Sequence, residues 1–187
     1  MSLDIICFMK NETKTYIILL RGIMPVGKNK VPMSTLRTIL SAAGLKDAWT
    51  FIQSGNVIAR SNLDQTGIED FVHKEIQNKI GPDITVIART VEQFQEICRQ
   101  NPFVNVDTAR VYFTVLASPP DSVQLKNFLS TDFSPEKIQV IGDTIYTLYN
   151  TKYSDSKFTN NFFENKLKIK ATTRNFNTMN QLVELAK

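Results

Sequence analysis

Apolar runs and stripes follow one another along the chain in an order that predicts strands and helices. Residues 15–22, TYIILLRG, form a short apolar run rich in β-forming residues and predict a buried strand. An apolar stripe at helical spacing over residues 33–43 predicts a helix, which Gly44 would end. The segments AWTFIQ and NVIARS, over residues 48–61, flank a Ser-Gly pair and predict a β-hairpin.

The next two elements complete a known order. A second stripe over residues 68–80 predicts another helix, and residues 83–89, DITVIAR, predict a fourth strand. The order β-α-β-β-α-β is typical of ferredoxin-like units. In that arrangement the first and second strands run the same way, so the loop after the first strand and the turn between the second and third lie at one edge of the sheet.

The same order recurs in the second half of the chain. A linking helix capped by Thr90, with Gln93 three residues later as in a capping box, precedes the strand RVYFTVLAS. This strand is followed by a short helix, a hairpin around Gly142, a helix in KFTNNFFENKL, a short strand in KATTRNFN and a last helix TMNQLVELA. Asn177 or Thr178 can cap that last helix. We therefore predict an α+β fold of two tandem ferredoxin-like units with antiparallel sheets.

This repeat divides the chain into four parts. The sequence predicts an N-terminal extension over residues 1–14, a first unit over 15–89, a linking helix and loop over 90–108, and a second unit with a C-terminal helix over 109–187. Each unit has an ordinary size for a small domain.

Composition and charge narrow the class of protein. With 187 residues, of which 42% are hydrophobic and 21% charged, the chain is typical of a packed soluble protein rather than a disordered one. A net charge of +4 favours anionic partners without requiring nucleic acid. Two cysteines and one histidine provide neither a disulfide framework nor a structural zinc site. The N-terminus lacks the pattern of a signal peptide, and no apolar run approaches the roughly 20 residues of a membrane helix, so we expect a cytoplasmic protein with no membrane partner.

The segment GIMPVGKN, residues 22–29, has the G-x-x-x-x-G-K spacing of a phosphate-binding loop. Asn29, however, stands where a Ser or Thr would bind magnesium, and Pro25 removes one amide donor from the loop. The following helix can start only near Pro32, so the loop would not lie at a helix N-terminus. We therefore predict that this segment is not a P-loop.

The same segment still has the composition of an anion-binding loop. Arg21, Lys28 and Lys30 surround a loop in which Gly22 and Gly27 allow close approach of the backbone to a ligand. Asn29 belongs to the same candidate site. The alternative is a basic turn that only meets solvent.

The turn QSGN is the second candidate. Ser54, Gly55 and Asn56 are favoured in hairpin turns whatever the function. A turn does not require Gln53, and its amide together with that of Asn56 could bind a polar ligand at the same edge.

A third polar cluster lies near the C-terminus, in SDSKFTNN and KIKATTRNFN. Its candidate ligand contacts are Lys157, Asn160, Arg174 and Asn175. An arginine near a helix N-terminus is typical of anion sites, while helix capping and surface charge explain the same residues without a ligand.

No catalytic apparatus can be assembled from these residues. Ser154 and Lys157 form an S-x-x-K pair, but the companion S-D-N and K-T-G motifs of serine acyl transferases are missing. No nucleophile and base can be named together, so the sequence predicts no catalytic residue, no metal site and no particular cofactor.

The segments just described also carry a family resemblance. The chain resembles the uncharacterised bacterial family known as domain of unknown function 1697 from about Thr15 to the C-terminus. The resemblance is carried by five motifs in this order: LLRGIMPVGKNKVPM, TFIQSGNV, NPF, SKFTNN and ATTRNFNT. The resemblance implies two ferredoxin-like α+β units in one chain and no assigned function. The family motif commonly reads LRGINVGGKNKVPM, so Met24, Pro25 and Val26 replace its central Asn, Val and Gly. Phe158 and Phe176 stand where the family has Leu and Trp.

Three hypotheses for function remain open. The first is binding of a small phosphorylated or otherwise anionic ligand, such as a nucleotide, through the loop, the turn and Arg174. The second is binding of RNA or single-stranded nucleic acid, with Tyr112 and Tyr146 stacking bases on a sheet unless they lie in the core. The third is a protein-interaction module that uses the sheet faces. The sequence does not predict an oligomeric state.

Overall fold

The structure of the protein, a computed structural model, describes residues 12–187. Most of the predicted extension over residues 1–14, with Cys7, lies outside the described residues. The elements of the first half are β1 (Lys14–Leu20), α1 (Met33–Ala42), β2 (Lys46–Phe51), β3 (Asn56–Ser61), α2 (Gln65–Lys79), β4 (Val86–Thr90) and α3 (Val91–Arg99). Those of the second half are β5 (Val111–Leu116), α4 (Ser122–Leu129), β6 (Lys137–Ile141), β7 (Thr144–Leu148), α5 (Asn160–Leu167), β8 (Ala171–Asn175) and α6 (Phe176–Leu185).

The strands form two four-stranded sheets with the same topology. The order is β2-β3-β1-β4 in the first sheet and β6-β7-β5-β8 in the second, and every neighbouring pair is antiparallel. This is the strand order of the split β-α-β-β-α-β unit, so the predicted α+β fold of two tandem ferredoxin-like units is confirmed.

Apolar packing covers both faces of each sheet at its central strands, whereas the edge strands β2 and β6 are partly exposed. The outer face of the first sheet packs on α1 and α2, and the outer face of the second packs on α4 and α5. The inner faces of both sheets share a third core with α3 and α6. Strand β1 is apolar at almost every position because its alternate side chains belong to two cores, Ile18 to the outer one and Ile17 to the shared one.

Local capping signals fix where the connecting helices begin. The predicted capping box is confirmed. The backbone amide of Gln93 donates to Thr90 Oγ1 at 3.3 Å, and the backbone amide of Thr90 donates to Gln93 Oε1 at 2.8 Å. The predicted cap of the last helix is wrong. Asn175, rather than Asn177 or Thr178, caps α6, because its Oδ1 accepts from the Thr178 amide at 2.8 Å.

Candidate functional site

The loop between β1 and α1 closes on itself rather than opening around a phosphate. The Met24 amide donates to the Asn29 carbonyl at 3.0 Å, and the Lys30 amide donates to the Gly27 carbonyl at 3.2 Å. Asn29 Nδ2 donates to the Gly22 carbonyl at 3.3 Å. Helix α1 starts only at Met33. The loop amides are therefore not those of a helix N-terminus, which agrees with the expectation that this is not a P-loop.

The turn between β2 and β3 lies against this loop. Gly55 has a φ of +75°, and a Cβ at this position would lie 2.6 Å from Ile23 Cδ1 and 2.8 Å from Leu20 Cβ. The Leu20 amide donates to the Gly55 carbonyl at 2.8 Å. Only glycine fits this contact, which holds the loop and the turn together as the topology predicted.

Arg174 joins this edge of the first unit to the second sheet. Arg174 lies on β8, and its Nε donates to Asn56 Oδ1 at 2.6 Å. One terminal nitrogen donates to the carbonyls of Leu20, Ser54 and Gly55 at 3.0–3.2 Å. The other donates to Thr172 Oγ1 and the Thr173 carbonyl at 2.9 and 2.8 Å. Every donor of this guanidinium therefore has a protein acceptor.

Arg21 makes the reverse connection, from the first unit to α5. Its guanidinium contacts both carboxylate oxygens of Glu164, at 3.0 and 2.6 Å, and also donates to Asn161 Oδ1 at 2.6 Å. Burial alone would raise the pKa of Glu164, but the hydrogen bonds from Arg21 and from the Ala171 amide outweigh it and hold that pKa below its usual value. Arg21 is thus neutralised by a carboxylate of the other unit.

The equivalent of Arg174 in the first unit is Arg89. Each lies one residue before the cap of the helix that follows the last strand of its unit, Thr90 for α3 and Asn175 for α6. Arg89 crosses to the second unit, where it donates to the Leu116 carbonyl at 2.7 Å and to Asp143 Oδ2 at 2.6 and 3.1 Å. The two arginines thus make equivalent contacts in opposite directions between the units.

The two arginines differ in how their charge is balanced. Asp143 neutralises Arg89, and its backbone position corresponds to Gly55, since the Leu116 amide donates to the Asp143 carbonyl as the Leu20 amide does to that of Gly55. Within residues 12–187, no carboxylate lies within ion-pair distance of Arg174. Burial lowers the pKa of Arg174 to about 10, and nearby Tyr153 acts in the opposite direction. Arg174 is therefore a charge held in place by neutral oxygens.

The structure brings most of the candidate residues to one rim between the two units. Through the contacts above, Arg174 joins the start of the 22–30 loop to the 53–56 turn. Asn160 lies at the same junction, where its Oδ1 accepts from Thr173 Oγ1 at 2.6 Å. Lys28, Lys30, Gln53 and Ser54 are exposed, whereas Asn56 is buried.

Two candidates have other roles in the described contacts. Asn175 caps α6. Lys157 is exposed and lies over the ring of Phe158, 5.1 Å from its centroid. The side chains available for a solute are therefore the exposed ones rather than Arg21, Asn56 or Asn175.

Sequence reasoning missed Arg89, Asp143, Glu164 and Tyr153. For Arg89 a signal was present, because the strand that ends each unit carries an arginine directly before a helix cap, in ARTV and in TRNF. Aligning the two units on these caps would have paired Arg89 with Arg174. Glu164 and Asp143 carry no such signal, because their partners are 143 and 54 residues away.

Other groups of the described residues offer less chemistry. Burial raises the pKa of Cys98 to about 11, which keeps the thiol protonated at neutral pH. In residues 12–187 no cluster of three His, Cys, Asp or Glu side chains is arranged to hold a metal ion. None of the helices in this part of the chain is long and apolar enough to cross a bilayer.

Comparison with known proteins gives a family and a fold. The sequence model of DUF1697, described as a protein of unknown function, matches residues 13–146. That range contains the first three of the five motifs and ends before SKFTNN and ATTRNFNT. A solved structure of a conserved bacterial protein from Streptococcus pneumoniae matches with a TM-score of 0.76 at 22% identity, covering 94% of this chain and 100% of the other. None of the curated proteins matches the chain.

Proposed function

The chain belongs to the DUF1697 family of proteins of unknown function, and from that premise we propose that it binds a small phosphorylated or otherwise anionic ligand at the rim between its two units. The observation that carries the proposal is Arg174, a guanidinium that has no carboxylate partner among residues 12–187, although its counterpart Arg89 has two, Asp143 at 2.6 Å and Glu69 at 3.7 Å. A partly buried charge that lacks a counter-ion attracts an anion more strongly than a fully solvated one, because the surrounding protein screens it less.

The exposed side chains around Arg174 can supply the direct contacts. Lys28 and Lys30 lie on the loop that begins just after Leu20, whose carbonyl Arg174 binds. Gln53 and Ser54 lie on the turn whose carbonyls Arg174 also binds. In this proposal the lysines and the Gln53 amide contact the anion, and Arg174 contributes its charge while it holds the loop and the turn in place.

The other two hypotheses have less support in the fold. Tyr146 is fully buried and Tyr112 packs against Tyr149 and Tyr153 at 5.1 and 4.7 Å, so neither tyrosine named from the sequence offers a free ring for base stacking. Trp49 on β2 is 38% exposed, but a sheet that binds RNA stacks two or three bases on its aromatic side chains. An interaction module built on the sheet faces would have only the edge strands β2 and β6 available, because the central strands of each sheet are buried on both faces. The cytoplasmic location expected from the sequence stays part of the proposal, and cell fractionation would test it.

A thermal-shift experiment tests the proposal. Inorganic phosphate and ribose 5-phosphate at moderate salt should stabilise the protein, and a ligand at about 100 times its dissociation constant adds roughly 2.7 kcal/mol, or about 5–10 °C for a chain of this size. In the Lys28→Ala/Lys30→Ala variant we expect most of that shift to be lost. The matched control is Lys74→Ala/Lys126→Ala, which removes the same charge from exposed positions of α2 and α4. The proposal fails if neither anion shifts the melting temperature, or if both double variants respond alike.

A further inference from the structure

A groove of about 500 Å³ runs beside the rim, between the end of β2 and helix α6. Its lining residues are Phe51, Ile52, Asn175, Asn177, Thr178, Asn180, Gln181 and Glu184. The volume falls in the range of small-molecule sites. Each unit supplies one wall, so the groove exists only because the two units pack together.

The first wall is apolar. Phe51 is half-buried and stacks on Trp49, with ring centroids 6.2 Å apart. Ile52 has a φ of +50° and is 50% exposed. A β-branched residue rarely adopts this backbone conformation, and such strain concentrates at ligand sites. Ile52 lines the groove and is half-exposed, so the turn presents an aliphatic side chain there.

The second wall is polar and carries one carboxylate. Asn177 and Gln181 are exposed on α6, so their amides can meet a ligand. Asn180 donates through Nδ2 to the Phe176 carbonyl at 2.8 Å, which fixes its orientation. Glu184 is the single charged residue of the lining, and Lys187 pairs with it at 2.7 Å. The groove thus suits an uncharged planar group with hydrogen-bonding edges better than an anion.

Along the chain, both walls of the groove continue into the anion rim. Asn175 follows Arg174 directly in the chain, and Ile52 is two residues before Ser54, whose carbonyl accepts from Arg174 at 3.0 Å. The charged end of a ligand in the groove would then lie toward Arg174 and the turn at Ser54.

From this arrangement we infer that the ligand is a nucleotide, with its base in the groove and its phosphate at the rim. Asparagine and glutamine amides match the donor and acceptor edges of nucleobases, and apolar side chains pack on the faces of the base. This inference rests on the proposed function, since it assigns the ligand class of the same site.

Isothermal titration calorimetry with the intact protein separates the two claims. The probes are AMP, GMP, CMP and UMP, with ribose 5-phosphate as the ligand that lacks a base. We expect one or more of the nucleotides to bind about tenfold more tightly than ribose 5-phosphate, the gain that a matched amide contact provides. The Gln181→Ala variant should lose most of that gain and keep its affinity for ribose 5-phosphate. The matched control is Gln77→Ala, the same change at an exposed position of α2, and it should bind like the parent protein.

The opposite results have distinct meanings. If all four nucleotides bind no better than ribose 5-phosphate, the nucleotide inference is overturned while the anion site stands. If the gain persists in Gln181→Ala, the base does not lie in this groove and the inference is also wrong. If neither the nucleotides nor ribose 5-phosphate bind, the proposed function and the inference fail together.

Discussion

At the scale of single residues, Arg89 and Arg174 show how one position of a repeat can serve two purposes. Both precede a helix cap and reach a carbonyl at the end of the first strand of the other unit, Leu116 of β5 for Arg89 and Leu20 of β1 for Arg174. Asp143 neutralises Arg89, whereas Arg174 contacts the Asn56 side chain and the carbonyls of the turn. The first arrangement completes an ion pair, and the second leaves a positive charge at the junction between the units.

Arg174→Ala should destabilise the protein. The substitution removes the donor that Arg174 supplies to Asn56 Oδ1 and to the carbonyls of Leu20 and Ser54, and we expect a loss of about 2–4 kcal/mol in the free energy of unfolding. Urea denaturation of Arg174→Ala, compared with Arg37→Ala at an exposed position of α1, measures this loss. Equal midpoints for the two variants would show that Arg174 does not hold the units together.

At the scale of elements, the turn between β2 and β3 places the loop after β1. Gly55 and Gly27 both have positive φ angles, +75° and +85°, but only Gly55 meets neighbouring atoms. The comparison separates backbone strain from packing, because a Cβ at Gly27 would extend into open space.

Gly55→Ala should cost more stability than Gly27→Ala. At Gly27 alanine adds only left-handed backbone strain, about 1–2 kcal/mol. At Gly55 the new methyl group also clashes with the side chains of Ile23 and Leu20, and this overpacking adds about 1–3 kcal/mol. Thermal and chemical denaturation of the two variants tests this order, and an equal loss would mean that the loop and the turn separate easily.

The elements that the sequence predicts well are those fixed by neighbouring residues. The hairpin at Gly55 and the capping box at Thr90 have local signals, and both were found. The sequence places the cap of α6 at Asn177 or Thr178, two or three residues too late, because β8 ends at Asn175 and α6 follows it without a loop. The contact of Arg174 with Asn56 spans 118 residues, so no local pattern could predict that these two candidates bind each other instead of facing solvent.

At the scale of the whole molecule, the two units are joined by a shared apolar core and by polar contacts at its edge. Arg89 pairs with Asp143 and Arg21 pairs with Glu164, each across the junction. The groove and the anion rim both lie at this junction, so stability and ligand binding depend on the same packing.

The Arg21–Glu164 pair should make stability depend on pH. The pKa of Glu164 is lowered in the folded protein from its usual 4.5, so its contribution is complete above that value and is lost as the pH falls through the lowered pKa. Glu164→Gln should therefore reduce the free energy of unfolding by about 1 kcal/mol at pH 7 and by much less near pH 3. Denaturation at both pH values, with Glu184→Gln as the exposed control, measures the difference. A deficit of the same size at both pH values would contradict this role of the carboxylate.

An NMR titration of the ¹⁵N-labelled protein with ribose 5-phosphate tests the central claim most directly, because it reports where an anion binds. The account predicts saturable shifts of the amides of residues 22–30 and 53–56, and an unchanged spectrum for α4 on the far side of the second sheet. Shifts confined to α4 or to other surfaces, or no shifts at all, would contradict an anion site at the junction of the two units.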